Sequence, residues 1–307
     1  MLNISQCQKI IRGDLFQKKC DHIFWNNEHA QGNMKFRGGV IVFCKIDEVL
    51  RFFEKLRLTR RRIILVTGEG DFPCDAWRQQ FLPVNVACWF ATNVTHPHPR
   101  VCALPLGLGT PKDTVTLDVA TMVSSKEEVF SRDQWLYINF RPETNPEVRC
   151  EIYDYFELLA ERESWITFEK PSEENSSQNF LRQLLCHRFI LAPPGNGFDT
   201  HRLWEALLLG AYPVVLNSIA MEPFADLPIL FFDDFQEITL DFLKENISQL
   251  KEKEKNLSML QIDFWEEKIQ KAKKDLQRKK HLTLIEWLSE SFLYGNQMLK
   301  RRFQKYD

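Results

Sequence analysis

Several absences bound this sequence before any motif is read. Its eight cysteines, at positions 7, 20, 44, 74, 88, 102, 150 and 186, form no CxxC pair. Zinc-finger spacing and a small disulfide framework are thereby excluded, and reduced, buried thiols are expected. No run of 18 apolar residues occurs, so no membrane span is expected; the longest apolar stretches, 206–209 and 211–216, are broken by Gly210 and Pro213. The first twenty residues lack an apolar export region, which sets the expectation of a cytoplasmic protein. An excess of one charge is missing too. The 40 Lys+Arg against 42 Asp+Glu leave −2 at pH 7, which speaks against a nucleic-acid partner.

What is present describes an ordinary globular chain. At 307 residues, and about 150 residues per domain, two domains are expected. Hydrophobic residues at 44% and charged residues at 27% exclude wholesale disorder, and 24 Phe with 8 Trp make the cores aromatic. Short β-branched and apolar runs alternate with helix-length segments. Residues 39–44, 62–67, 86–91 and 101–105 read as strands in the first half, with an amphipathic stretch at 47–58. Residues 134–140, 165–168, 188–192, 212–216 and 228–232 read as strands in the second half, with helices at 146–162, 179–186 and 199–209. This alternation predicts an α/β fold of parallel layers. Polar residues 112–132 read as the crossing between halves, 171–178 as a loop, and 238–280 as a charged, solvated helix pair. The expected domains are 1–125, 126–245 and a helical segment 246–307 packing back on the body.

The segment 189–215, FILAPPGNGFDTHRLWEALLLGAYPVV, is the most informative. It reads strand, Pro-Pro-Gly-Asn-Gly loop, helix, glycine turn, strand. Asp199 or Thr200 suits the helix N-cap, where a side-chain oxygen accepts a free amide hydrogen of the first turn. Gly195 and Gly197 permit torsions and close approach that a side chain blocks. Exposed amides of this loop, which runs through Pro194, Asn196 and Gly197, and of the helix start, with the positive end of the helix dipole, form a cradle for phosphate oxygens. Arg202 adds a forked cation for a diphosphate. Glu205, three residues on, lies on the same face and can accept ribose hydroxyls. The loop is neither a Walker A sequence nor a GxGxxG fingerprint.

The run PPGNGFDTHRLWEALLLGAYPVV resembles the donor-binding segment of exostosin-like glycosyltransferases, including the ribitol xylosyltransferase group, and more distantly that of α1,3-fucosyltransferases. The likeness extends to WLYINFRPETNPEVR, to PILFFDDF and, more weakly, to NVTHPHPRVCALPLGLG, about half of the chain. It implies a GT-B architecture: two Rossmann-like domains facing a central cleft, the second binding a nucleotide-diphosphate sugar. A UDP-sugar is the first donor expected and a GDP-sugar the second, with a glycan or other hydroxyl compound as acceptor and no separate cofactor. On this likeness the donor-binding set is Asn139, Arg141, Arg149, Pro194, Gly195, Asn196, Gly197, Asp199, Thr200, His201, Arg202 and Glu205. Asn139, Arg141 and Arg149 follow or flank the end of a predicted parallel strand, where ligands of open α/β sheets gather. Arg141 or Arg149 with Arg202 then neutralises the leaving diphosphate without a metal. The sequence lacks the membrane anchor usual in eukaryotic Golgi members, so their substrates and compartment do not transfer.

An inverting transfer needs a base for the acceptor proton. The strand at 62–67 runs into Gly68-Glu69-Gly70-Asp71, which makes Asp71 the first candidate and Glu69 the second; the bland alternative is that Asp71 caps a helix after Pro73. Asn93 and His96 are the candidates for acceptor contact. Asp233-Asp234, or His96 with His98, are the competing metal-ligand sets, but no DxD triplet or His/Asp cluster accompanies them. Asp234 serves equally as an N-cap.

Overall fold

The computed structural model describes residues 9–24, 37–109, 131–171 and 177–304. Cys7, most of the expected crossing at 112–132, the boundary at 125/126 and the centre of the loop at 171–178 lie outside these residues. The described chain adopts the expected α/β class. Two compact units are present: Met1–Leu15 with Pro105–Phe264, and Phe16–Leu104 with Trp265–Asp307.

The unit containing residues 16–104 is built on a five-stranded sheet of β1 (His22–Phe24), β2 (Val40–Lys45), β3 (Ile63–Gly68), β4 (Val86–Ala91) and β5 (Val101–Ala103). All neighbours pair in parallel, in the order β1-β2-β3-β4-β5. The short helix α1 (Gly13–Lys18) leads into it, and α2 (Val49–Arg57) and α3 (Ala76–Gln79) connect its strands. Val49, Phe52, Phe53 and Leu56 recur at helical spacing, so α2 turns one apolar stripe onto the sheet. Phe53 meets Trp89 edge to face at 5.4 Å, and Trp89 Nε1 donates to Thr67 Oγ1 at 2.8 Å, which satisfies the buried indole. Each buried Phe of this kind contributes roughly 1.5–3 kcal/mol. The three-residue β1 escaped the sequence reading because so short an edge strand shows no periodicity.

The other sheet holds β6 (Gln134–Ile138), β7 (Ile166–Phe168), β8 (His187–Leu191), β9 (Tyr212–Leu216) and β10 (Leu230–Phe232), again all parallel. Its order is β10-β9-β8-β6-β7. The chain therefore goes from β6 to one neighbour, β7, then crosses to the opposite neighbour, β8. Strand order reverses there, and the carboxyl ends of β6 and β8 flank the switch point. Helices α4 (Pro146–Ala160), α5 (Ser177–Cys186), α6 (His201–Leu209) and α7 (Leu240–Lys253) belong to this unit.

The expected helix pair at 238–280 breaks where α7 ends and α8 (Ile262–Leu276) begins, across a 3-10 turn at Ser258–Leu260. Residues 9–11 join this break: Ile11 N donates to Leu260 O and Ile262 N to Lys9 O. A last helix, α9 (Leu284–Gln304), packs on α2. Among the described residues, no helix is long and apolar enough to cross a membrane. Seven cysteines are described, all free; Cys44 and Cys74 are buried, but Cys102 and Cys150 are exposed, against the expectation of buried thiols throughout.

Candidate functional site

The loop after β8 and the first turn of α6 lie at the switch point. Pro193 and Pro194 are buried, and Gly195 N donates to Gly197 O at 3.0 Å, closing a tight turn. The loop is held from α4. Arg149 Nε donates to Pro194 O at 2.8 Å, Nη2 to Pro193 O at 2.8 Å, and Nη1 to Arg141 O at 3.1 Å and Thr144 Oγ1 at 2.6 Å. Asn145 Nδ2 adds a bond to Gly195 O at 3.1 Å. Four of the five N–H groups of Arg149 are used in this way, so it acts first as a buried brace for the backbone of Pro193 and Pro194, with one Nη2 hydrogen and its charge remaining. Asn145 was not among the residues picked from sequence; its place just before Pro146, at a helix start, was the available signal.

Of the two roles expected of the loop glycines, close approach is met at Gly195 and torsional freedom at neither. Neither Gly195 nor Gly197 has a positive φ. A Cβ on Gly195 would come within 2.9 Å of Arg149 Nη2, so its small size makes room for the brace. The glycine that needs its torsional freedom is Gly210, at φ +83, which ends α6 as expected. Arg132, also missed in sequence, caps the same end by donating to Leu209 O, to Leu184 O at 2.8 Å and to His187 O.

Thr200 takes the N-cap position of α6 but makes no side-chain cap bond, and its Oγ1 is buried without a partner among the described residues. Asp199 is turned elsewhere. Its Oδ2 accepts from Leu106 N at 2.7 Å and its Oδ1 from Trp204 Nε1 at 2.7 Å. Burial pushes its carboxyl up to about 7, despite these donors, the Thr200 amide and the nearby His201. His201 Nδ1 donates to Gly107 O at 2.7 Å, leaving Nε2 as the other face of the ring. The segment 105–108 therefore locks the start of α6 through Leu106 and Gly107.

Arg202 is the notable side chain. It is half-buried, its Nε–H is buried without a hydrogen-bond partner among the described residues, and its guanidinium lies over the Phe180 ring at 5.3 Å. Burial pulls its pKa down, while Glu205 and Tyr137 pull it back up. Arg149 is lowered to about 10, first by burial and then by the charge of Arg202. Two cations therefore share one partly desolvated place at the N-terminus of α6, and each gains when an anion enters. Glu205, 3% exposed, is buried beside Arg202. Tyr137, with Asn139 beside it, donates its hydroxyl to Glu169 Oε2 at 2.8 Å, and Gln183 Nε2 holds Glu169 Oε1 at 2.5 Å. Arg141 and Asn196 are exposed. The structure thus brings Asn139, Arg149, Pro194, Gly195, Gly197, Asp199, Thr200, His201, Arg202 and Glu205 together at the carboxyl edge of one sheet, with Arg141 and Asn196 at its exposed margin.

Asp71, Glu69, Asn93 and His96 belong to the other unit, past the carboxyl ends of β3 and β4. Glu69 and Asn93 both occupy the left-handed region, at φ +57 and +51. Such non-glycine residues are uncommon and gather at functional turns. Asn93 O accepts from Cys74 N at 2.9 Å, and His96 O from Gln79 Nε2 at 2.8 Å, so the carbonyls of this edge are held by one backbone and one side-chain donor. Asp71 is exposed, and the helix after Pro73 is capped by Asp75, which accepts from Arg78 N at 2.8 Å. Asp234 caps a 3-10 turn in a reciprocal box with Glu237, and Asp233 Oδ1 accepts from Asn217 Nδ2 at 3.0 Å. His98 Nδ1 accepts from Arg100 N at 3.1 Å. Among the described residues, no three His, Cys, Asp or Glu side chains are grouped to hold a metal ion.

No protein-family model matches the chain, and no curated protein matches it by sequence. Several solved structures are similar to it. One described as the OtsA apo structure aligns over 76% of this chain and 72% of that one, at 13% identity and a TM-score of 0.46. An α,α-trehalose-phosphate synthase (UDP-forming) from Burkholderia xenovorans, in complex with glucose-6-phosphate, aligns over 76% and 72%, at 9% identity and 0.42. The UDP-GlcNAc 2-epimerase of Methanocaldococcus jannaschii aligns over 75% and 76%, at 13% identity and 0.36. At these values the likenesses carry no weight for the chemistry of this chain, which rests on its own residues.

Proposed function

We propose that this chain is a glycosyltransferase of the GT-B type that moves a sugar from a nucleoside-diphosphate sugar to a hydroxyl of a glycan or other acceptor. One observation carries the reading: the Nε–H of Arg202 at the start of α6, buried without a hydrogen-bond partner among the described residues, with the Arg149 cation beside it, at the switch point of a parallel sheet. Crevices at such switch points are where open α/β sheets hold ligands. A diphosphate there meets the α6 amides, the backbone of Pro194–Gly197 and the Arg202 fork. Glu205 and Asn139 are the polar groups for the nucleoside side. A UDP-sugar is the donor to try first and a GDP-sugar second.

The chemistry follows from the charge. As the bond from the anomeric carbon to the phosphate oxygen breaks, its electron pair stays on the diphosphate. Fixed donors aimed at that oxygen lower the barrier. In an inverting transfer the acceptor hydroxyl attacks the opposite face and gives up its proton, for which Asp71, then Glu69, is the assigned base. The exostosin-like kinship, the metal independence and a cytoplasmic location belong to this same proposal.

Release of nucleoside diphosphate from each donor tests it. Arg202→Ala should lower turnover roughly 10²–10³-fold, the scale of losing one preorganised donor. Arg202→Lys should recover only part, because an ammonium lacks the planar fork. Undiminished turnover in Arg202→Ala would remove the residue from the reaction. Loss of activity with EDTA, restored by Mn or Mg, would shift the leaving-group role to Asp233 and Asp234. Nucleotide binding without turnover on any acceptor would mark a binding module instead.

A further inference from the structure

Helix α9 turns two different faces outward and inward. Its inner face is fixed by Trp287 Nε1, which donates to Arg57 O at 2.7 Å, by Glu290, paired with Arg57 at 3.4 Å, and by Tyr294, whose ring lies 3.9 Å from the Arg57 guanidinium. These positions, 287, 290 and 294, are helically spaced and account for one side. The other side carries Leu284 and Ile285, then Leu288 and Phe292, which follow Leu284 four residues apart in turn. Ile285 is 78% and Phe292 70% exposed, and the other two are more than half exposed. An apolar stripe of this length in water is costly and marks an interaction surface.

Cations border the start of this stripe. Arg60, Arg278, Lys279 and Lys280 are all exposed, Lys279 being paired with Glu286, and hydrogen bonds tie the 60–62 and 280–282 segments together. Arg62 N donates to Lys280 O at 2.9 Å, Leu282 N to Arg60 O at 2.7 Å, and Arg60 Nε to Leu282 O at 2.9 Å. Leu58, 79% exposed, lies two residues before Arg60. The patch is thus basic although the whole chain is close to neutral.

We propose that this face docks on the surface of an anionic lipid bilayer, with α9 lying in the interface and not spanning it. Apolar side chains on one face of a helix with cations beside them is the composition that inserts among acyl chains while meeting acidic headgroups. A second copy of the chain fits less well. The acidic groups of the described part of α9 are already engaged, Glu286 with Lys279 and Thr283, and Glu290 with Arg57, so the helix has no spare carboxylate for the cationic edge of a partner. A nucleic acid would meet the cations but leave the Leu, Ile and Phe side chains in water.

Co-flotation of the full chain with vesicles tests the proposal, using phosphatidylcholine alone and phosphatidylcholine mixed with phosphatidylglycerol. Binding should be at least about tenfold stronger to the anionic vesicles and should weaken as salt screens the headgroups. Arg278→Gln with Lys280→Gln should weaken it about fivefold per charge removed. Ile285→Glu with Phe292→Glu should abolish it while leaving the melting temperature in place, since both side chains are mostly in solvent. Should that variant misfold, Leu288→Ser provides the same reading with a smaller change. Equal binding to neutral vesicles, or binding that survives the apolar substitutions, overturns the proposal. So does a dimer, seen by sedimentation, that Ile285→Glu dissociates, or duplex binding that Arg278→Gln with Lys280→Gln alone removes.

Discussion

Asp199 is held by three hydrogen-bond donors, from Leu106, Trp204 and Thr200, yet its carboxyl stands near 7 and not at its ordinary 3.8. The cost of keeping a charge out of water exceeds what the donors return. The consequence for stability has a definite sign. A carboxyl whose pKa is raised by folding binds its proton more tightly in the folded state. Its contribution is complete below 3.8 and is lost as the pH rises through about 7. Asp199→Asn keeps the shape and cannot ionise, so the stability of the parent relative to this variant should fall by on the order of 4 kcal/mol across that window. Urea denaturation of both proteins at several pH values measures it. A difference that stays flat between 3.8 and 7, or that grows with pH, would show that the three donors hold Asp199 ionised throughout.

At the level of elements, two glycines of the same unit have opposite tolerances. Gly107 stands at φ +74, and a Cβ there would lie 2.3 Å from the carbonyl oxygen of Ile11. Gly210 stands at φ +83, but its nearest neighbour would be Arg132 Nη2 at 3.7 Å, an ordinary contact. Gly210→Ala should therefore cost only the torsion, about 1 kcal/mol. Gly107→Ala adds a backbone collision that moves residues 11 and 107 apart and unseats the His201 bond; it should cost several times more. Thermal melts of the two variants give the order, and equal costs would mean that the 105–108 segment does not brace α6. Gly210 was legible in the sequence because a helix pattern ends at it. Gly107 was not, since what it needs is set by Ile11, 96 positions away in the chain. The same division runs through the site. Strands such as Val86–Ala91 stand out as apolar runs, and the loop, Arg202 and Glu205 stand out by local spacing. The bracing of the loop by Arg149 and Asn145, the diversion of Asp199 away from capping and the left-handed Glu69 depend on contacts that no local pattern contains.

For the molecule as a whole, the two sheets make unequal hosts for a nucleotide. The order β1-β2-β3-β4-β5 advances in one direction, so that sheet has no point at which successive crossovers part to opposite sides. The order β10-β9-β8-β6-β7 has one, and Arg202 with the Pro193–Thr200 loop stands at it. Each unit also has its own buried cluster, one around Phe52, Phe53 and Trp89, the other around Phe140, Phe156 and Phe189. Units with separate cores are able to respond separately to a ligand. A nucleoside diphosphate at 100 times its dissociation constant should add about 2.7 kcal/mol to the stability of the unit that binds it. Hydrogen exchange then locates the gain: UDP or GDP should slow exchange most at residues 193–205, and Arg202→Ala should remove that protection while leaving the unliganded exchange of β8 and β9 unchanged. Protection that instead centres on residues 63–71, the strand and loop of Glu69 and Asp71, would assign the nucleotide to the sheet without a switch point and reverse the placement of the donor.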